Sequence, residues 1–355
     1  MKALIAMSGG VDSSVAAKIM VDRGYECIGC TMKLHNENSE NDYDTNTCCS
    51  LKDVEDARSI SNRLDMPYYV FNFQDDFEEK VINKFIECYQ NGITPNPCID
   101  CNKYMKFDKL YSRAKELDCD VIVTGHYCRI EKDKDRYVLK KALDDTKDQS
   151  YVLYSLTQEQ LSHTVFPLGD LPKSQVRKIA EENGFINANK PDSQDICFVP
   201  DGDYASVIEK YTGVKSQEGD FVDTEGNVLG RHKGIIHYTL GQRKGLGLSF
   251  TEPRYVCEIC PSKNQVVLGK NEDLFSRCFK VDDINWTSGE VKEKEIRCSA
   301  KVRYRHKEEP GVLSIHDNGK VSFVFDEPQR AITPGQSAVF YDGDIVLGGG
   351  IITEK

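Results

Sequence analysis

The heptapeptide Ser8-Gly9-Gly10-Val11-Asp12-Ser13-Ser14 sets three hydroxyls, two glycines and a carboxylate directly behind the apolar run Ala3 to Met7. That run reads as a buried parallel strand, and apolar spacing resumes at a helical period from Val15 to Met20. The heptapeptide therefore falls at a strand-to-helix turn. A helix N-terminus offers free N–H groups and the positive end of a dipole, and glycine lets the backbone approach an anion, so phosphate is the natural guest. An ordinary loop with Ser13 as helix cap would use the same residue types. No Gly-Lys-Ser/Thr follows, so this is not a Walker loop, and it lacks the Gly-x-Gly-x-x-Gly spacing of dinucleotide binders.

The second reactive class is thiols, with 14 cysteines in 355 residues. Cys27/Cys30, Cys98/Cys101 and Cys257/Cys260 have the spacing of zinc-binding pairs. The first and third lie in strand-like stretches, where residues three apart face opposite sides, so no structural zinc is expected. Cys98 and Cys101 differ, because a Pro-Asn-Pro turn in "TPNPCIDCNKYMKF" leads straight into a helical pattern. A thiol at a helix N-terminus holds more thiolate at neutral pH; a pair of buried small hydrophobes would look the same. Cys197 in "PDSQDICFVPDGDY" sits among turn residues, flanked by Asp192, Asp195 and Asp201.

Elements that position these groups alternate through the first half. Strand patterns at "YECIGCTMKL", "PYYVFNF" and "DCDVIVTGHY" are separated by helical patterns at "LKDVEDARSISNRL", "DDFEEKVINKFIECYQ" and "CNKYMKFDKLYSRAKEL". This predicts an α/β fold, a doubly wound parallel sheet with ligands gathered at the carboxyl ends of its strands. From about Asp201 the alternation gives way to short Gly-rich segments, and beyond about Phe279 period-two runs predict a small antiparallel barrel. Three domains result: 1–200 catalytic, 201–278 central and 279–355 barrel.

No apolar run approaches the ~20 residues that span a bilayer, so the chain reads as soluble and cytoplasmic, with reduced thiols. A net charge of −11 argues against nucleic acid in bulk. The acid is localised, however, in "NENSENDYD" (36–44), whereas Lys301 to Lys307 and Arg231 to Gly245 are basic stretches.

The loop resembles the SGGxDS pyrophosphate loop of the PP-loop ATP pyrophosphatases. The blocks "SGGVDSSVAA", "TCCSLKDVEDAR", "PNPCIDCNKYMKF", "TGHY", "DQSYVL", "KPDSQDICFVP", "HYTLGQRKGLG" and "VRYRH" follow in the order seen in the tRNA-specific 2-thiouridylases. That resemblance implies a PP-loop domain, a central tRNA-binding domain and a β-barrel. It implies a transferase that adenylates C2–O of the wobble uridine in tRNA with ATP and Mg2+, then installs sulfur from a cysteine persulfide. ATP would lie on Ala6, Met7, Ser8, Gly9, Gly10, Val11, Asp12, Ser13 and Ser14, with Met32 and Gly125 at adenine and ribose, and Asp12 at the magnesium.

Cys101 would be the nucleophile and Cys197 the persulfide carrier, closing a disulfide on turnover. The target base would meet Asn96, Pro97 and Cys98, with His126 nearby. The tRNA would meet Lys147, Asp148, Gln149, Tyr304, Arg305 and Gln336. Partners implied are tRNAs of the Lys, Glu and Gln type and a cysteine desulfurase or sulfur relay protein. Some members carry aspartate at the Cys98 position, so either Asp100 or water would substitute in an acid/base role there, or that role is not essential. A PP-loop ligase would share the loop without needing the cysteines, and a redox or zinc-bound RNA-binding module would need neither ATP nor Asp12.

Overall fold

The computed structural model describes residues 1–35, 51–192, 196–199, 202–289, 291, 293–317 and 319–355. The acidic stretch 36–44, the cysteines of "TCCS", Asp195 and Asp201 lie outside the described residues. Strands β1 (Lys2–Ala6), β2 (Glu26–Lys33), β3 (Tyr68–Asn72), β4 (Val121–Val123), β5 (Cys128–Asp133), β6 (Arg136–Lys141) and β7 (Thr164–Val165) follow in chain order. Five of them form a parallel sheet in the order β3-β2-β1-β4-β7. Ala3, Leu4 and Ile5 of β1 are fully buried, with Ala3 and Ile5 in one hydrophobic cluster and Leu4 in another. Both faces are covered, which is why the strand is continuously apolar.

Connections leave β1 toward β2 on one side and β4 on the other, so a crevice opens outside the carboxyl ends of β1 and β4. Helix α1 (Val11–Asp22) starts at that crevice. The helical patterns read from the sequence also form, as Leu51–Arg63, a run from Gln74 to Gln90, and a run from Pro97 to Glu116. The last two each contain wide π-type turns, at Glu78–Ile82 and Cys101–Lys109. Such turns are rare and often mark functional positions.

Beyond Tyr204 the strands Gly219–Val222, Val228–His232, Tyr255–Cys260 and Gln265–Gly269 make a four-stranded sheet. The antiparallel strands from Phe275 to Glu354 then close on themselves through pairing of Phe275–Asn285 with Ile345–Glu354. One element departs from the sequence reading. The hairpin β5–β6 has no counterpart in that reading; it stands outside the parallel sheet and extends the barrel sheet, pairing Lys140 with Ile345.

The parallel-sheet region and the barrel also share a core of Phe107, Tyr151, Leu153, Val339, Tyr341 and Val346. Each such side chain withdrawn from water contributes roughly 2 kcal/mol. The barrel is therefore docked firmly against the helix that begins at Pro97.

Of the strand-borne CxxC pairs, Cys27, Cys30 and Cys257 are buried and Cys260 is half-buried. Cys27 and Cys30 are buried in β2, and burial, then the neighbouring Cys119, pushes the Cys27 thiol up to about 11. Cys260 donates to Glu258 Oε1 at 3.2 Å.

Candidate active site

The turn after β1 places Gly9 at φ +73°, where a Cβ would lie 2.5 Å from the Asp53 carbonyl oxygen. Gly10 is extended, φ −87°, and precedes α1 with no side-chain cap on the helix. The first N–H groups of α1 are thus left to an anion. Ser13 is not a cap: its hydroxyl donates to Gly10 O at 3.0 Å and accepts from Ser8 N at 3.2 Å. Ser14 also donates to Gly10 O at 3.0 Å. Ser8 is exposed at the mouth, while Val11, Ser13 and Ser14 are buried behind it. Met7, under the loop, accepts from Thr31 Oγ1 at 2.6 Å, and Ala6 is half-buried beside it.

The turn after β4 completes this wall. A Cβ on Gly125 would meet Ser13 N at 2.7 Å and Asp12 C at 2.8 Å, so only glycine lets the two turns touch. His126 is buried, with Nδ1 2.7 Å from Thr124 Oγ1 and Nε2 3.4 Å from Lys106 Nζ. Burial, then the Lys106 charge, holds its pKa well below the ordinary histidine value, so the ring is neutral. Met32 is the penultimate residue of β2, near the carboxyl end of the sheet, and is buried.

Asp12 accepts from Tyr127 Oη at 2.7 Å and from Lys173 Nζ at 2.7 and 2.8 Å. Lys173 also pairs with Asp192 at 2.8 Å, and Asp192 with Lys147 at 2.9 Å. Burial opposes ionisation of Asp192, but hydrogen bonds from Lys173 and Lys147 outweigh it and hold the carboxyl below the usual range. Two residues upstream Lys190 reaches Asp53 at 2.5 Å and Gly9 O at 3.3 Å. Asn187 donates to Gly9 O and to Ser14 Oγ, both at 2.9 Å. The segment that leads to Cys197 is thereby clamped onto the phosphate loop.

Sequence reasoning missed Lys173, Tyr127, Asn187 and Lys190. Lys173 carried a signal, since it opens the helix Lys173–Glu182 and a cation there opposes the dipole unless carboxylates compensate.

At the Pro-Asn-Pro turn the Asn96 side chain accepts from Cys98 N at 3.2 Å, capping the helix that starts at Pro97. Exposed Cys98 occupies the first turn and half-buried Cys101 begins the next, three residues on and on the same face. The dipole fades within one turn, so the helix end bears on Cys98 more than on Cys101. Asp100 points elsewhere: it is buried against Lys84 at 2.7 Å and lines two cavities of about 330 and 160 Å³ behind the turn. Burial lifts its carboxyl above the usual range despite Lys84. Neither cavity is lined by a residue of the turn Ser8 to Ser14, where the uncapped helix and the charged groups converge.

Cys197 is half-buried in a short turn anchored by Phe198, whose ring lies edge-on to Phe77 at 5.7 Å and Phe85 at 5.2 Å. Cys101 and Cys197 pack against the same hydrophobic cluster.

The residues assigned to tRNA divide. Tyr304 and Arg305 are exposed, and burial, then the Asp148 and Cys98 charges, raises the Tyr304 phenol. Gln149 is occupied in accepting from Tyr127 N at 3.0 Å. Asp148 is spent on Ala142 N, Ser150 N and Ser150 Oγ at 2.8–3.2 Å. Gln336 donates to Thr94 O at 2.9 Å and Pro95 O at 3.1 Å, so the barrel braces the turn that presents Asn96, Pro97 and Cys98.

A parallel sheet with a phosphate loop at its switch point, followed by two β domains, defines a nucleotide-handling α/β enzyme class. Family models agree: a "tRNA methyl transferase HUP domain" matches residues 1–201, a "tRNA methyl transferase PRC-barrel domain" 205–270 and an "Aminomethyltransferase beta-barrel domain" 276–352. The "tRNA-specific 2-thiouridylase MnmA" of Clostridioides difficile is 53% identical over 356 residues, covering 100% of this chain and 98% of that protein. Its namesake in Acetivibrio thermocellus is 51% identical over 354 residues, covering 99% of each. The chain belongs to the tRNA-specific 2-thiouridylase family. Among the described residues no helix is long and apolar enough to cross a membrane.

Proposed function

We propose that this chain replaces the C2 oxygen of the wobble uridine in tRNAs of the Lys, Glu and Gln type with sulfur, in the cytoplasm. The observation that carries the reading is the clamp of Asn187 and Lys190 onto the phosphate loop, with Lys173 bridging Asp192 to Asp12, which joins the segment leading to Cys197 to the loop. Oxide is a poor leaving group, so the uridine needs activation. Its C2 oxygen attacks the α-phosphate of ATP and pyrophosphate leaves, held by Ser8, Gly9, Gly10 and the free N–H groups of α1.

Asp12 is a hard oxygen ligand suited to magnesium that arrives with the phosphates, and the ion would neutralise charge on the departing pyrophosphate. Lys173 holds Asp12 in place, and neutral His126 offers a ring that does not repel a cation.

A partner with cysteine desulfurase or sulfur-relay chemistry loads Cys197 as a persulfide. The terminal sulfur attacks C2 and AMP departs with the original oxygen. The Cys101 thiolate then attacks the inner sulfur, which forms the Cys101–Cys197 disulfide and leaves sulfur on C2. A thiol reductant returns both cysteines. The disulfide requires Cα atoms within ~7 Å, reached when tRNA seats.

Reconstitution with tRNA, ATP, magnesium and persulfide donor tests this. Equimolar AMP, pyrophosphate and 2-thiouridine are expected, by nucleoside mass spectrometry. Methylated product, or thiolation that does not consume ATP, overturns it.

A further inference from the structure

Asn187 is 3% exposed, and its side-chain amide is used at one end only. Nδ2 donates to Gly9 O and to Ser14 Oγ, both at 2.9 Å, while Oδ1 has no hydrogen-bond partner among the described residues. A carbonyl oxygen can only accept, so Gly9 O fixes which end of the amide faces the loop. A buried acceptor left unpaired is costly, so the residue is held here for its two donors and not for its shape. Lys190 Nζ adds a second donor to Gly9 O at 3.3 Å and is itself held by Asp53 at 2.5 Å and Asp56 at 3.0 Å.

The carbonyl that these donors hold belongs to the peptide between two glycines. With no Cβ on either side, such a peptide turns over easily and exchanges the places of its C=O and N–H. In a trans peptide the two groups point in opposite directions, so a carbonyl pinned on the side of Asn187 and Lys190 sends the Gly10 N–H out the other side. Ser14 Oγ carries the effect one peptide further. It accepts from Asn187 and donates to Gly10 O at 3.0 Å, which fixes the next peptide and with it the Val11 N–H. Gly10 N and Val11 N have no hydrogen-bond partner among the described residues, at the start of a helix with no side-chain cap.

We propose that Asn187, with Lys190 in support, is a positioning residue: it holds the Gly9–Gly10 peptide in the one orientation that presents the Gly10 and Val11 N–H groups to the pyrophosphate end of ATP. This rests on the ATP-dependent reading above and adds the side chain that keeps the phosphate site open to an anion. Turned over, the peptide would set a carbonyl oxygen against the phosphate, and the repulsion would close the site. Because Asn187 belongs to the segment that leads to Cys197, the phosphate site is complete only while that segment is docked.

The test uses inorganic pyrophosphate and adenosine as separate probes, with affinities measured by equilibrium dialysis. The chains compared are the unaltered one, Asn187→Leu, which keeps the shape without the donors, and Asn187→Gln, which keeps the donors. Neither substitution changes charge. Loss of a hydrogen bond to a charged oxygen should weaken pyrophosphate binding by Asn187→Leu roughly tenfold to a hundredfold. Asn187→Gln should recover most of that loss, and adenosine should bind all three chains alike. Unchanged pyrophosphate affinity in Asn187→Leu overturns the proposal. An equal loss for both probes, or a loss that Asn187→Gln does not recover, marks a merely structural role and overturns it too. Pyrophosphate that fails to bind the unaltered chain overturns the ATP-dependent reading, and the proposal with it. If Asn187→Leu melts early, hydrogen exchange on the unaltered chain decides: pyrophosphate should slow exchange at the Gly10 amide, and an unchanged rate there overturns the positioning role.

Discussion

Lys173 Nζ stands 2.7 Å from Asp12 Oδ1 and 2.8 Å from Asp192 Oδ1, one buried cation joining the phosphate loop to the segment that carries Cys197. The turn after β1 and the segment that leads to Cys197 are thereby linked through a single side chain. Lys173→Met leaves two carboxylates facing each other. We expect a stability loss of roughly 2 kcal/mol, reduced from the fully buried case because both acids are partly exposed. Pyrophosphate release with tRNA should fall about a hundredfold. Denaturant unfolding and a pyrophosphate assay check this; release at the unaltered rate would detach Lys173 from the site.

The two loop glycines should separate. Gly9→Ala forces a left-handed residue into the Asp53 backbone and should cost roughly 2 kcal/mol or more. Gly10→Ala, with only Ser8 Oγ at 3.4 Å, should fold normally. A bulkier Gly10→Val should fold and lose ATP binding, since it fills the space the phosphates need. Calorimetric ATP titration beside thermal melts distinguishes these, and equal melting of Gly9→Ala and the unaltered chain would contradict the loop geometry.

Gln336→Ala removes two hydrogen bonds to Thr94 and Pro95, worth roughly 2 kcal/mol together. Its effect should appear in turnover of tRNA, about tenfold lower, with ATP binding unchanged, because the turn bearing Asn96 to Cys98 loses its brace. A change confined to tRNA affinity would mark Gln336 as a direct contact instead.

The cysteines divide by step. Cys197→Ser should accept no labelled sulfur yet still release pyrophosphate with tRNA; Cys101→Ser should carry label on Cys197 and stall. Label found on Cys101 reverses the roles. Normal 2-thiouridine from either variant removes that cysteine from the mechanism.

His306 supplies a pH signature. Burial, then the Arg303 charge, holds its pKa at about 4, below the ordinary histidine value. Between roughly pH 6.5 and 4 the unfolded chain binds this proton and the folded chain does not, so stability falls as pH falls through that window. Urea unfolding should show the loss, and His306→Gln should flatten it. A slope unaffected by the substitution would assign the loss to other groups.

The sequence alone settled the parallel sheet, because β1 and β2 are apolar along their length and the intervening helices keep a helical period. It located the turn Ser8 to Ser14 between a strand and a helix for the same local reason: an apolar run ends before it and a helical period begins after it. It also placed Cys98 and Cys101 at a helix start, since Pro97 and Asn96 dictate that turn through φ and capping. Local pattern did not reveal that Ser13 back-bonds rather than caps, because the choice depends on Gly10 O and Ser8 N meeting it in space.

Pattern was silent, too, on the hairpin β5–β6 joining the barrel, since strand pairing across two hundred residues leaves no periodic trace. The same holds for Gln336 bracing Thr94, for Asp100 turning away behind the helix, and for Asn187 meeting Gly9 O. Side-chain chemistry and backbone propensity are properties of neighbours in the chain. Which carbonyl a buried amide holds, and which carboxylate a buried lysine holds, are properties of neighbours in space, and only the folded chain brought Lys173 to Asp12.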